Sequence, residues 1–213
     1  GYLNQRFGNH PLGLSQLIKA LEICESLSLT DALPDVLDGI GCIYFQIGDF
    51  PTALDYFHRQ LGAAQAIGDA RRIVNANTHL ASVYLQMGDQ ARTIETVQQT
   101  LQNAVEIGFV RTEAISLLNL AELHLLAGNY EQALAYALHG QQVCHTAGFA
   151  LFAVYAQKTI GKIHLKLGNA TGIPALEQAL TMAPAQASKY LEVELLMELG
   201  SAYRDLQQFD QAF

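Results

Sequence analysis

Lys158, Lys162 and Lys166 stand at i, i+4 and i+8, so they fall on one face of any helix that contains them. No Asp or Glu occurs between Glu131 and Glu177, so the three form a local positive patch on a chain of net charge −8. Such a stripe can hold a carboxylate, a phosphate or an acidic peptide through charge-assisted hydrogen bonds. It can equally be a solvated helix face, where exposed ion pairs contribute only ~0–1 kcal/mol. Other reactive residue types do not assemble. His139, Cys144 and His145, at i, i+5 and i+6, do not converge on one point and have no carboxylate beside them. No phosphate-binding loop, nucleophile elbow, HExxH or dinucleotide fingerprint occurs. The expectation is therefore no enzyme, no metal ligand set and no cofactor.

Composition narrows the class further. Half of the 213 residues are apolar and only 15% are charged, which excludes a disordered chain. Acidic residues outnumber basic ones 20 to 12, which argues against nucleic-acid binding or adhesion to an anionic membrane. The longest apolar run, Phe149 to Ala156, is far below the ~18 residues of a spanning helix. Cys24, Cys42 and Cys144 are odd in number and lack CxxC spacing, and no secretory leader opens the chain. A reducing, cytoplasmic setting is expected. A first residue of Gly1 rather than Met suggests a piece of a longer protein.

The elements that would position the lysines come from a repeat. Gly8, Gly48, Gly88, Gly128 and Gly168 are spaced by 40, and each precedes Asn or Asp: Asn9, Asp49, Asp89, Asn129 and Asn169. Chance would fill one such register at roughly 10⁻⁶, so the period is real. Gly68, Gly108 and Gly148 interleave with it. Between glycines the apolar residues follow helical spacing, as in Ile73, Ala76, Leu80, Val83, Tyr84 and Met87. Each glycine predicts a left-handed helix end, and each Asp or Asn predicts a cap for the next helix. Pro11 and Pro51 then fall in first turns. The spacing predicts an all-α chain of antiparallel helix pairs that stack into one solenoid over 1–213. Its parts would be a partial repeat at 1–29, repeats at 30–69, 70–109, 110–149 and 150–188, and a partial repeat at 189–213. The register slips by one residue, since Tyr203 follows His164 by 39; the loss is expected between Ala170 and Pro174.

The run from Ile40 to Leu54, with Gly41, Tyr44, Gly48-Asp49-Phe50, Ala53 and Leu54, resembles a tetratricopeptide repeat. Leu199-Gly200 with Tyr203, Phe209-Asp210-Gln211-Ala212, Gly128 to Leu134 and Lys19 to Ile23 resemble it as well. Ala81 and Ala121 stand where the pattern has Gly, and His124 and His164 where it has Tyr, so those copies are degenerate. The resemblance covers essentially the whole chain. It implies a right-handed superhelix in which the first helix of each pair lines a concave groove for an extended or helical peptide. The long repeat is similar to those of bacterial multidomain regulators such as sugar-responsive activators, peptide-pheromone receptors and the input regions of diguanylate cyclases.

Residues 40 apart should then share groove columns. One is Asp38, Thr78, Leu118, Lys158 and Met197; the next is Cys42, Ser82, Glu122, Lys162 and Ser201. A third holds Gln46, Gln86, Leu126, Lys166 and Asp205, and a rim column holds Asp35, Asn75, Ile115, Tyr155 and Glu194. Groove candidates are Asn75, Thr78, Ser82, Leu118, Asn119, Glu122, Tyr155, Lys158, Lys162 and Lys166. The resemblance gives Asn119 a further role, hydrogen-bonding a bound peptide backbone, although its equivalents are Gly39, His79, Thr159 and Glu198. If the stripe is only a solvated face, Lys162 should pair with Glu122 and Lys166 with Asp205. His124 and His164 are expected in packing roles.

The function expected is protein or peptide binding, with an acidic partner, within a larger regulatory protein. The alternatives are an assembly scaffold that dimerises through its end faces (Leu14 and Leu17 at one end, Phe209 and Phe213 at the other) and a small-molecule effector site.

Overall fold

The turns follow the glycines. Gly48, Gly68, Gly88, Gly108, Gly128, Gly148 and Gly168 all have φ between 69° and 84°, the left-handed region that favours glycine. The residue after most of them donates its N–H back five positions, as in Asp49 to the Tyr44 carbonyl (3.0 Å) and Asn129 to the His124 carbonyl (2.9 Å). That closes each helix with a Schellman bond.

The protein is described from a computed structural model covering residues 10–169, 171–183 and 189–210, with the side chains of 10, 190 and 206–210 left aside. These residues form ten α-helices and no strand: α1 His10–Ser26, α2 Leu33–Ile47, α3 Phe50–Ala66, α4 Ala70–Gln86, α5 Gln90–Glu106, α6 Val110–Leu126, α7 Tyr130–Ala147, α8 Ala150–Lys166, α9 Gly172–Met182 and α10 Lys189–Asp210. Pro51 sits in the first turn of α3, as its position after Asp49 predicts, and Pro34 does the same for α2. The helix α9 departs from the pattern, with 11 residues where α3 and α5 have 17. Ala170, within the segment expected to hold the register slip, lies outside the described residues, as do Gly8, Asn9 and Phe213.

The chain divides into two compact units, one ending at Ile107 and one beginning at Gly108. In the first, α1 to α5 pack consecutively, and α2 also touches α4. Its core joins Ala53, Phe57, Leu80, Val83 and Tyr84, with a second cluster of Leu21, Leu37 and Ile40. Gly41 is closely packed here: a Cβ on it would lie 2.6 Å from Cε1 of the Phe57 ring, so the ring would have to shift. Leu14 and Leu17 pack against the second cluster. They are therefore not the exposed end-face residues expected; Leu12 and Leu27, 58% and 65% exposed, hold that place on and just after α1. The side chain of Phe209 lies outside the description.

In the second unit α6 to α10 pack consecutively, α6 also touches α8, and α8 touches α10. Ala121, Leu125, Ala133, Ala137, Ile160 and Ile163 form one core, and Val154, Ile173, Leu176, Leu191, Leu195 and Leu199 another. In both units, then, the like helices that meet across repeats are the first of each pair. They form the inner layer, a point that periodicity alone leaves open.

Candidate functional site

In the second unit the inner layer presents the lysine stripe. Lys158 Nζ lies 2.9 Å from Glu194 Oε2 of α10, and its side chain is only 12% exposed. The same ammonium sits 5.1 Å over the Tyr155 ring. Lys162 Nζ lies 3.3 Å from Glu122 Oε2 of α6 and 3.9 Å from Glu198 Oε1 of α10. The other oxygen of Glu122 accepts the buried Thr159 hydroxyl at 2.6 Å. Two ammonium groups therefore face three carboxylates, and the pair of lysines is neutralised from both neighbouring helices. Lys166 is exposed and, among the described residues, unpaired; the expected partner Asp205 does not reach it.

In the first unit the inner layer builds a polar hub. Asp38 Oδ1 accepts from Gln60 Nε2 (3.0 Å) and Asn75 Nδ2 (3.3 Å), and His79 Nε2 lies 3.0 Å from the same oxygen. Gln60 is buried, and the His79 ring stacks on Phe57 with centroids 4.7 Å apart. Cys42, one turn along α2 from Asp38, is half-buried. Burial and the Asp38 charge push its thiol up to about 11. Beside the hub is a cavity of about 450 Å³ lined by Cys42, Phe45, Gln46, Phe57, His79, Ser82, Leu85 and Gln86. At the rim Arg72 grips Asp35 with two bonds, 2.9 Å from Nε and 2.6 Å from Nη2.

The columns thus bring Glu122, Tyr155, Lys158 and Lys162 into one cluster, and Asn75 into another. Ser82 lines the cavity, but its hydroxyl bonds the Thr78 carbonyl of its own helix at 2.9 Å. Thr78 bonds the Val74 carbonyl at 2.8 Å, so its hydroxyl is spent in the same way. Leu118 is half-buried against α7, where a Cβ on Gly140 would lie 3.1 Å from its Cδ2. Asn119 is exposed and bonds none of the described residues.

Sequence reasoning missed Glu194 and Glu198 as lysine partners, and the joining of Asp38, Gln60 and His79. The signal for the last was present one position off the column, since Asp38 plus 40 is Thr78 and the functional neighbour is His79. Of the two histidines expected in packing roles, His124 is buried and stacks on Tyr136 at 5.4 Å. Burial lowers its pKa, and neither ring nitrogen has a hydrogen-bond partner.

Glycine-closed antiparallel pairs with first helices inside define a tetratricopeptide-like helical repeat. No protein-family model matches this chain, and no curated protein does. Solved structures share the fold. RapI in its apo form is similar at a TM-score of 0.81 and 13% identity, over 89% of this chain and 53% of RapI. BtubC from P. vanneervenii is similar at 0.76 and 17% identity, over 95% of this chain and 86% of its own. A signal-transduction ATPase with numerous domains and a tetratricopeptide-repeat sensor, from Pyrococcus horikoshii, reaches 0.68 and 17% identity, over 92% of this chain and 34% of the ATPase. The chain spans about half of RapI and about a third of the ATPase. At these identities the likeness is one of fold. No described helix is long and apolar enough to cross a membrane.

Proposed function

We propose that this chain is a peptide- or protein-binding module that serves as the sensory or regulatory segment of a larger cytoplasmic regulator, with no catalysis of its own. The observation that carries this reading is the inner-layer cavity of the first unit. Its wall combines apolar surface from Phe45, Phe57 and Leu85 with the amide groups of Gln46 and Gln86. That is the composition of a site for an extended chain, apolar with a few orienting polar groups. The fold shared with a protein whose repeats are called a sensor supports the regulatory part. An acidic partner would reach Lys166 directly, would reach Lys158 by displacing Glu194, and would reach Lys162 by displacing Glu122 and Glu198.

Selection of a random peptide library on the 213-residue chain tests the reading. Enriched peptides should compete for one site, and Gln46→Arg with Gln86→Arg, both at exposed positions, should abolish their binding while helicity is unchanged. Absence of enrichment, or binding indifferent to the double change, overturns it.

Self-association is a second reading, favoured by the exposure of Leu12, Ile23 and Leu27 on and just after α1. Sedimentation at increasing concentration should then show dimers that Leu12→Glu dissolves.

A further inference from the structure

We propose that the first unit carries a site for one borderline divalent metal ion, zinc by its donor set, held by Asp38, Cys42 and His79 with a fourth position open to the adjoining cavity. A carboxylate oxygen, the Cys42 Sγ and a ring nitrogen of His79 all lie within 4.8 Å of one another. Among the described residues no other such group of three occurs. Tetrahedral zinc, with bonds of about 2.0–2.3 Å, sets its donor atoms about 3.4 Å apart. Closing the three donors onto an ion therefore takes side-chain adjustments of about 1 Å, within reach of rotamer relaxation at half-buried positions.

The frame is fixed by the repeat. Asp38 and Cys42 are one turn apart on α2, His79 projects from α4, and those two helices pack directly. The supporting contacts are those of an oriented ligand set. Gln60 and Asn75 amides hold the carboxylate through Oδ1, the oxygen that His79 Nε2 also approaches, leaving Oδ2 for coordination. The Phe57 ring stacked on His79 sets the imidazole plane.

The donor chemistry decides the class of ion. A thiolate and an imidazole beside a single carboxylate suit zinc or its close analogues, while calcium and magnesium call for oxygen donors alone. Three protein ligands leave one position vacant, and Cys42 and His79 themselves line the cavity of about 450 Å³, wide enough for a bound water there. Ion binding replaces the close His79–Asp38 contact and sends the Cys42 thiol proton to solvent. The ion would staple α2 to α4. This inference stands apart from the peptide-binding reading and survives or fails without it.

Cobalt(II) titration of the purified 213-residue chain under reducing conditions is the direct test, followed by equilibrium dialysis with zinc. Expected are one ion per chain, a sulfur-to-cobalt charge-transfer band with the strong visible bands of a four-coordinate site, and loss of the charge-transfer band in Cys42→Ala. The Cys24→Ala/Cys144→Ala chain should keep it. Zinc should raise the melting temperature of the wild type and leave that of Asp38→Asn unmoved; circular dichroism certifies the fold of each variant. Absence of the sulfur band in the wild-type chain, or its survival in Cys42→Ala, overturns the proposal whatever the variants' stability.

Discussion

In the first unit the turns that open α3, α4 and α5 carry Asp49, Asp69 and Asp89, and each carboxylate accepts the backbone N–H three residues on, at 3.0–3.2 Å. In the second unit Phe109, Asn129 and Phe149 open α6, α7 and α8 with no side-chain cap. The glycine φ values and the backbone bonds closing the preceding helix are nevertheless alike in both. The repeat thus requires the left-handed residue and its backbone bond. The side-chain cap is an addition that these three turns of the first unit use and the openings of α6, α7 and α8 omit.

A second contrast runs through the helix pairs. Gly41 faces Phe57 in α2 and α3, and Gly161 faces Leu176 in α8 and α9, where a Cβ would come within 2.8 Å of the leucine Cγ. The equivalent positions in the other two pairs are Ala81 with Val97 and Ala121 with Ala137, all buried. The small residue is glycine where its partner is large and alanine where its partner is small. What reads in the sequence as degeneration of the motif is a one-way trade of volume, in which each added alanine methyl faces a side chain smaller than Phe57 or Leu176.

The largest expected effect breaks that volume rule. Phe57→Ala should cost about 3–5 kcal/mol, as a fully buried aromatic lost to a cavity. Gly41→Ala alone sets about 1–3 kcal/mol of overpacking against about 1 kcal/mol of helix propensity, so it should destabilise slightly. In a Phe57→Val background, which reproduces the Ala81/Val97 pair, the same Gly41→Ala change should become stabilising. Denaturant unfolding of the four chains reads the sign, and an unchanged sign would show that the two positions are not coupled.

The next effect sharpens the capping contrast. Asp49→Ala removes a carboxylate that accepts both Thr52 N–H and Thr52 O–H, at 3.2 Å and 2.8 Å, and should cost about 1 kcal/mol. Asn129→Ala, with no cap bond to lose, should fall within about 0.5 kcal/mol of wild type. Comparable losses at the two sites, measured by thermal unfolding, would mean that the turns are chemically equivalent after all.

The sequence was legible where geometry repeats. The 40-residue glycine comb placed the turns, and the columns placed Lys162 beside Glu122. It was less legible where charge is balanced across helices. Counting acids along the chain from Glu131 to Glu177 made the lysines a positive patch, but Glu194 and Glu198 arrive from α10, beyond the register slip, one turn before Met197 and Ser201, which share the lysines' columns. Asp38 and His79 were hidden for a similar reason. Side chains that meet between helices are offset by the tilt of each helix, so columns of equal residue number miss neighbours one position away.

The smallest expected effect separates the units by pH. In the first unit backbone N–H donors, chiefly that of Arg72 for Asp69 and that of Arg92 for Asp89, hold those carboxyls below their usual range. Such groups contribute stability above the ordinary carboxylate value of about 4, and it is lost only as pH falls through and below that value. In the second unit His124 is held neutral by burial, with its pKa below the usual value. Its unfolded form takes up a proton first, at about pH 6.5, so stability is lost as pH falls below that point. Acidification from pH 7 to 5 should therefore speed amide exchange in α6 and α7 before it does so in α4 and α5. His124→Phe keeps an aromatic ring against Tyr136 and removes the titration, so it should flatten the dependence in α6 and α7. A dependence that persists in His124→Phe would show that the acid sensitivity of α6 and α7 does not come from His124.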